Sequence, residues 1–324
     1  MSPAPPPQSL PTHQLGRSPV QVTELSFGGA AIAGMYTEVT GEDSRAAIDA
    51  AWDGGIRTFD TAPHYGLGLS ERRLGEALRD RPRDEYVIST KVGRLLRPAE
   101  GPPPYGPDPD GFAMPASMVR EWDFSADGVR RSLEASLDRL GLDRVDVVLI
   151  HDPDDHGEQA FREAYPALEK LRSEGVVKAI GAGMNQTAML TRFVTDTDVD
   201  VVLCAGRYTL IDRSAGDVLL PAALERGVSV IVGGVFNSGL LAAPVRGTTY
   251  NYHAAPEELI LRAQQLDRIC ARHDVPLRAA AARFPLTHPA VASVLIGARN
   301  PAEITEAVTL RQMRIPAPLW DELT

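Results

Sequence analysis

Eight short runs rich in Val, Ile and Leu recur along the chain, each followed by a stretch of helical periodicity. They are TELSFGGA (23–30), IRTFDTA (56–62), EYVISTKV (85–92), VDVVLIHD (145–152), VKAIGAGM (177–184), VDVVLCAGRY (199–208), VSVIVGGVF (228–236) and VASVLIGA (291–298). Near-continuous apolar runs fit strands buried on both faces, as in a parallel sheet covered by helices. The intervening stretches, among them SRAAIDAAWDGG, SADGVRRSLEASLDRLG and AYPALEKLRSEG, close on Gly54, Gly141 and Gly175, and Gly227 ends another, as helices often do. Ser125 or Asp127 is placed to cap the third helix. Eight such units in 324 residues predict an α/β fold, a (β/α)8 TIM barrel forming one domain over residues 21–324. The alternative, a doubly wound sheet binding a dinucleotide, would carry GxGxxG after its first strand. GLGLSE (66–71) and GAGMNQ (181–186) both lack the third glycine.

One interval breaks the rhythm. Residues 94–124, RLLRPAEGPPPYGPDPDGFAMPASMVREWDF, are rich in Pro and Gly and follow the third strand. In a barrel this loop lies on the C-terminal face, either as a lid or as a mobile surface excursion. The proline-rich start, MSPAPPPQSLPTHQLGRSP, reads as a flexible segment over residues 1–20 and lacks the apolar core of a secretory signal.

Composition narrows the function classes. A formal net charge of -10 argues against a general nucleic-acid binder. No apolar stretch is long enough to cross a bilayer. Cys204 and Cys270 form no CxxC pair, so a reducing, cytoplasmic setting is expected. No GxSxG or Walker A sequence is present.

In a barrel the chemistry sits where strands end. There the chain carries Asp60 with Tyr65 just beyond it, Lys91, His151 with Asp152, and Met184 with Asn185. Each has a plain reading: Asp60 as a helix cap, Lys91 as a surface lysine, Tyr65 as packing. Together they suit a proton shuttle. A free phenol titrates near ~10, and a neighbouring ammonium favours the phenolate. A carboxylate would hold that ammonium, and a histidine would orient a substrate oxygen. Such a set fits hydride chemistry in which one oxygen gains or loses a proton. HDPDDH (151–156) contains five potential metal ligands, but in one short loop, and no metal is expected. His13, His253, His273 and His288 form no spaced set.

FDTAPHYGLGLSERRLGEAL (59–78), VISTKVG (87–93), VDVVLIHDPD (145–154) and VLIGARNPAEI (294–304) resemble the aldo-keto reductases, in order, from about Val22 to Leu319. DTAPHYGLGLSERRLG, the long loop and GGVFNSGLL (233–241) are most similar to the aldose 1-dehydrogenase group. That group includes L-fucose dehydrogenase, D-threo-aldose 1-dehydrogenase and pyridoxal 4-dehydrogenase. The resemblance implies a nicotinamide dinucleotide bound without a Rossmann fold. It implies Asp60, Tyr65, Lys91 and His151 as the catalytic tetrad. Cofactor contacts would come from Gly29, Asp60, Asn185 (nicotinamide amide), Gly233, the stretch Phe236, Ser238, Gly239 and Leu241 (pyrophosphate), and Gly297, Arg299 and Glu303 (adenosine end).

Three departures stand out. Ala205 takes the place of a usual Gln. Gly233 replaces the aromatic residue that stacks on nicotinamide, leaving Phe236 or another side chain to fill the space. Gly297 and Glu303 fall where NADP-binding relatives carry a lysine and an arginine. A carboxylate at 303 favours NAD over NADP, with Arg299 as the counter-argument for a phosphate. The implied reaction is oxidation of the anomeric hydroxyl of an aldose such as L-fucose to a lactone, with Tyr65 as general base. The alternatives are pyridoxal oxidation, NADPH-dependent reduction of aldehydes and ketones, and a nucleotide-binding interaction subunit. Met35, Tyr36, His64, Arg94 and Trp122 come from loops expected at the mouth and are candidates for shaping the pocket.

Overall fold

The eight runs close on themselves. In the computed structural model, which describes residues 9–101, 105–251 and 253–323, eight parallel strands form a closed barrel. They are β1 (Leu25–Gly28), β2 (Thr58–Asp60), β3 (Val87–Val92), β4 (Val147–His151), β5 (Ala179–Met184), β6 (Val201–Ala205), β7 (Ser229–Gly233) and β8 (Val291–Gly297). Sequential neighbours pair throughout, and β8 returns to pair with β1. Helices follow every strand, as the periodicity predicts. The cap of the helix Ala126–Leu140 is Ser125, whose hydroxyl accepts from Gly128 N, and Gly141 ends it in the left-handed conformation.

Period-two alternation explains why the runs look continuously apolar. On β4, Val147 and Leu149 fill the barrel interior, while Val148 and Ile150 face the helical ring. On β6, Val201 and Leu203 point in, and Val202 and Cys204 point out. Both faces are dry, so every position is apolar.

The chain is ordered earlier than its composition suggests. Thr12–Gln14 and Gln21–Thr23 form an antiparallel hairpin. Leu15, Val20 and Val22 are buried and close the N-terminal end of the barrel against Val147, Val201 and Ile231. The flexible segment expected over residues 1–20 is therefore corrected from about residue 12 onward; residues 1–8 lie outside the described residues. Burial of the hairpin's apolar side chains supplies the reason. Two further helices, Glu257–Arg272 and Ala317–Leu323, build a satellite apolar cluster with Leu240, Leu241 and Leu277. Among the described residues no helix is long and apolar enough to cross a membrane.

With the N-terminal end plugged, the opposite end is left as the mouth. The long insertion folds over that end. Arg94–Pro98 pairs with Met118–Trp122 as a hairpin, and Phe112 is only 2% exposed. Arg120 makes two 2.7 Å bonds to the buried Asp108 and donates to His64 O at 2.9 Å, which ties the insertion to the loop after β2. Residues 102–104 within it lie outside the described residues.

Candidate active site

FDTAPHYG is a strand end followed by a turn under unusual constraint. Gly66, Leu67 and Gly68 are all left-handed, with φ of 56°, 51° and 79°. Glycine enters that region at no steric cost. A Cβ on Gly66 would also stand 2.9 Å from the Cβ of Ala33. Thr61 Oγ1 donates to Ser70 Oγ at 2.8 Å, and Ser70 N donates to Tyr65 O at 3.2 Å. These bonds fix Tyr65 between the end of β2 and the helix Leu69–Leu78.

The four tetrad side chains converge. Lys91 is 1% exposed, and its ammonium donates to Asp60 Oδ2 at 2.6 Å and to Thr61 O at 2.9 Å. It also lies 4.8 Å from the centroid of the Tyr65 ring, and its charge pulls the phenol pKa downward. The His151 ring stands perpendicular to Tyr65, with centroids 5.8 Å apart. His64 joins the group at 5.9 Å from Tyr65 and 5.7 Å from His151, and Phe112 covers it at 5.5 Å from His64 and 6.3 Å from Tyr65.

Burial sets the electrostatics. It pushes the Tyr65 phenol up to about 12, against the pull of the Lys91 cation. The cation expected from the sequence is present, but desolvation outweighs it, so the phenol keeps its proton at neutral pH. That corrects the expectation of a phenol lowered toward neutrality. For Lys91, burial works against the charge, yet Asp60 and Tyr65 raise its pKa above the ordinary value, so it stays cationic. Burial pushes Asp60 upward, opposed by Lys91. His64 is driven down to about 2 by burial and then by the cations Arg94, Arg120 and Lys91. His151 is held well below its ordinary value by burial, Arg94 and Lys91. Both imidazoles are therefore neutral across the working range.

A cavity of about 340 Å³ opens beside this cluster, lined among others by Arg94, Trp122, Asp152 and Asn185. Of the residues expected at the pocket, Arg94 and Trp122 line it, His64 packs beside Tyr65, Met35 bridges Phe112, and Tyr36 is 53% exposed. Asp154, Asp155 and His156 form a short 3-10 turn, with His156 against Trp122 and Phe124.

The residues expected to hold a dinucleotide fall into two groups. Asn185 follows β5 and lines the cavity. A Cβ built on Gly233 would meet nothing closer than 3.6 Å, so glycine here leaves a free cradle above Leu203 and Leu295. The turn after β7 holds Asn237, Ser238 and Gly239 at φ of 47°, 58° and 106°. In that turn the buried Asn237 Oδ1 has no hydrogen-bond partner among the described residues, an unsatisfied acceptor beside the expected dinucleotide path. These features fit a dinucleotide.

Other members of the expected set also carry packing and backbone bonds. Gly29 donates to Asp60 O at 2.8 Å, and a Cβ there would strike Ser70 Oγ at 2.3 Å. Leu241 is fully buried and its N–H donates to Phe236 O at 3.0 Å, so it anchors the turn. Phe236 is half-buried against two apolar clusters of the barrel wall. At the far end, Arg299 Nη2 and Nε bond Glu303 Oε1 at 2.6 and 3.0 Å, and Arg299 N donates to Glu303 Oε2 at 2.8 Å. Gly297 closes β8 beside them, with solvent access.

Phe112 and Asp152 carry no assigned role on sequence grounds. Phe112 sits in an aperiodic Pro/Gly-rich stretch. Asp152 gains its meaning only from a partner 58 positions away, Arg94.

Comparison with known proteins agrees with this geometry. The Aldo/keto reductase family signature matches residues 24–324. D-threo-aldose 1-dehydrogenase of a Pseudomonas species is 47% identical over 306 residues, covering 93% of each chain. Pyridoxal 4-dehydrogenase of Microbacterium luteolum is 40% identical, covering 95% of each. L-galactose dehydrogenase of Arabidopsis thaliana is 32% identical, covering 91% of this chain and 86% of its own. The glycerol dehydrogenase of Gluconobacter oxydans shares the fold with a TM-score of 0.76 at 22% identity, covering 96% of this chain and 93% of that one. The chain belongs to the aldo/keto reductase family and is an NAD(P)-dependent oxidoreductase.

Proposed function

We propose that the protein oxidises the anomeric hydroxyl of an aldose to a lactone, with NAD as acceptor. The observation that carries this reading is the meeting of Tyr65, Lys91, Asp60 and His151 beside a cavity lined by polar side chains. The likeness to D-threo-aldose 1-dehydrogenase supports it.

Asn185, Gly233 and the turn Phe236–Gly239 would hold the dinucleotide, with residues 297–303 at its adenosine end. When bound there, an oxidised nicotinamide would supply the hydride acceptor. Tyr65, once deprotonated, takes the proton of the anomeric hydroxyl. Lys91 stabilises the phenolate, and Asp60 keeps Lys91 aimed at it. His151, being neutral, donates a hydrogen bond to the substrate oxygen and leaves the proton to Tyr65. Phe112 excludes water from above. The test is a panel of aldoses plus pyridoxal with NAD, read by absorbance of the reduced cofactor. Lactone formation from at least one aldose is expected; turnover of pyridoxal alone would move the assignment to the second reading. That reading draws on the aromatic Phe112 over the site and on the 40% identical pyridoxal 4-dehydrogenase.

Glu303 favours NAD. It occupies the Arg299 guanidinium, so this cation is not offered to a 2′-phosphate, and its own charge repels one. Like-charge juxtaposition costs enough that kcat/KM with NAD should exceed that with NADP by about a hundredfold or more. Glu303→Gln should narrow the ratio by about tenfold. A wild-type preference for NADP would contradict this role of Glu303.

A further inference from the structure

We infer that Asp152, clamped by Arg94, reads the hydroxyl pattern of the sugar, and that the site takes neutral, unphosphorylated aldoses. This rests on the aldose reading above and extends it to the part of the substrate that does not react.

Asp152 directly follows His151, and its backbone is left-handed with φ 42°. Non-glycine residues seldom adopt that conformation, though Asp tolerates it better than most. The turn brings the carboxylate to the reacting corner: Asp152 Oδ2 lies 3.5 Å from His151 Nε2 and pairs with Arg94 Nη2. The two partners are unequally covered. The Arg94 side chain is 8% exposed and that of Asp152 30%, so the clamp is internal and the carboxylate opens on the cavity. Arg94 is held from its other side by Trp122, with the guanidinium carbon 4.3 Å from the ring centroid. Its Nε is buried without a partner among the described residues, a donor still to be satisfied.

A buried ion pair open to a cavity of about 340 Å³ offers both acceptors and donors to a polyol. The cavity is of small-molecule size. Its fixed charges are one guanidinium, Arg94, against three carboxylates, Asp152, Asp154 and Asp155. The guanidinium is already neutralised by Asp152. A phosphate ester entering here meets Asp154 and Asp155, which have no ion-pair partner among the described residues, whereas neutral hydroxyls can donate to Asp152 in charge-assisted bonds. Shape and charge together select a free sugar.

The test pairs Asp152→Asn with single-hydroxyl deletions in the substrate. Asn keeps the shape and also tolerates the left-handed backbone. The substrate is whichever of L-fucose and L-galactose is turned over faster, with its 2-, 3- and 4-deoxy analogues; the phosphate arm compares L-galactose with its 6-phosphate ester, because L-fucose ends in a methyl group. In the wild type, loss of one of these hydroxyls should lower kcat/KM by about ten- to a hundredfold. In Asp152→Asn the same deletion should cost about fivefold or less, because the bond to a neutral amide is weaker. The phosphate ester should be turned over at least about a hundredfold less efficiently than the parent sugar. Equal deletion penalties in both proteins, or efficient use of the phosphate ester, overturn the inference while leaving the aldose reading standing. Failure of the wild type to oxidise any aldose overturns both. If Asp152→Asn does not fold, Asp152→Gly, which adopts the same φ, carries the same comparison.

Discussion

Tyr65→Phe should lower kcat for oxidation by about 10² to 10⁴-fold while leaving dinucleotide affinity within about threefold. The substitution removes one oxygen and keeps the ring, so contacts at 5.8 Å with His151 and 6.3 Å with Phe112 persist. The lost group is the only carrier proposed for the anomeric proton. Neither imidazole substitutes as a base: both resist protonation, His64 down to about 2 and His151 well below its ordinary range. Measuring kcat alongside quenching of protein fluorescence by NAD separates the two effects. Retention of most of the turnover would remove Tyr65 from the mechanism.

The second large effect concerns stability as well as rate. Lys91→Met should abolish activity and destabilise the fold by about 3–5 kcal/mol, because it strands a buried carboxylate. Asp60 is 3% exposed, and its bonded oxygen has Lys91 as its side-chain partner at 2.6 Å. Burial alone pushes its carboxyl pKa up, so the stranded acid would take up a proton rather than remain charged. Adding Asp60→Asn to Lys91→Met should recover much of the stability and none of the activity. Denaturant melts of the single and double variants check this. Additive losses in the double variant would mean that the pair is not the coupled unit described here.

The barrel is legible in the chain because its strands are dry on both faces and its helices are amphipathic; pattern and burial are the same fact. The corner of the site is legible for a related reason. Asp60, Lys91 and His151 are polar residues at the ends of apolar runs, where the fold must place them at the mouth. What the sequence hides is long-range. The hairpin from Thr12 to Thr23 has two three-residue strands, the first fully exposed, and leaves no periodic trace. The cover formed by Phe112 depends on the Arg120–Asp108 bonds inside an aperiodic loop. The phenol's titration is hidden for a different reason: the Lys91 cation can be inferred from spacing, but the burial that outweighs it belongs to the folded site. At the expected cofactor end, the motifs suggest Leu241 and Gly29 as contacts, while the close packing around them is visible only in the fold.

The most direct test of the proton shuttle is the pH dependence of kcat/KM for aldose oxidation at saturating NAD. A phenol held up by burial must lose its proton before it can act as base. Log kcat/KM should therefore climb with a slope near one per pH unit above pH 7 and show no inflection between pH 5 and 7. A profile that levels off above an inflection near the ordinary imidazole pKa of about 6.5 would assign the base to a histidine and contradict the role of Tyr65.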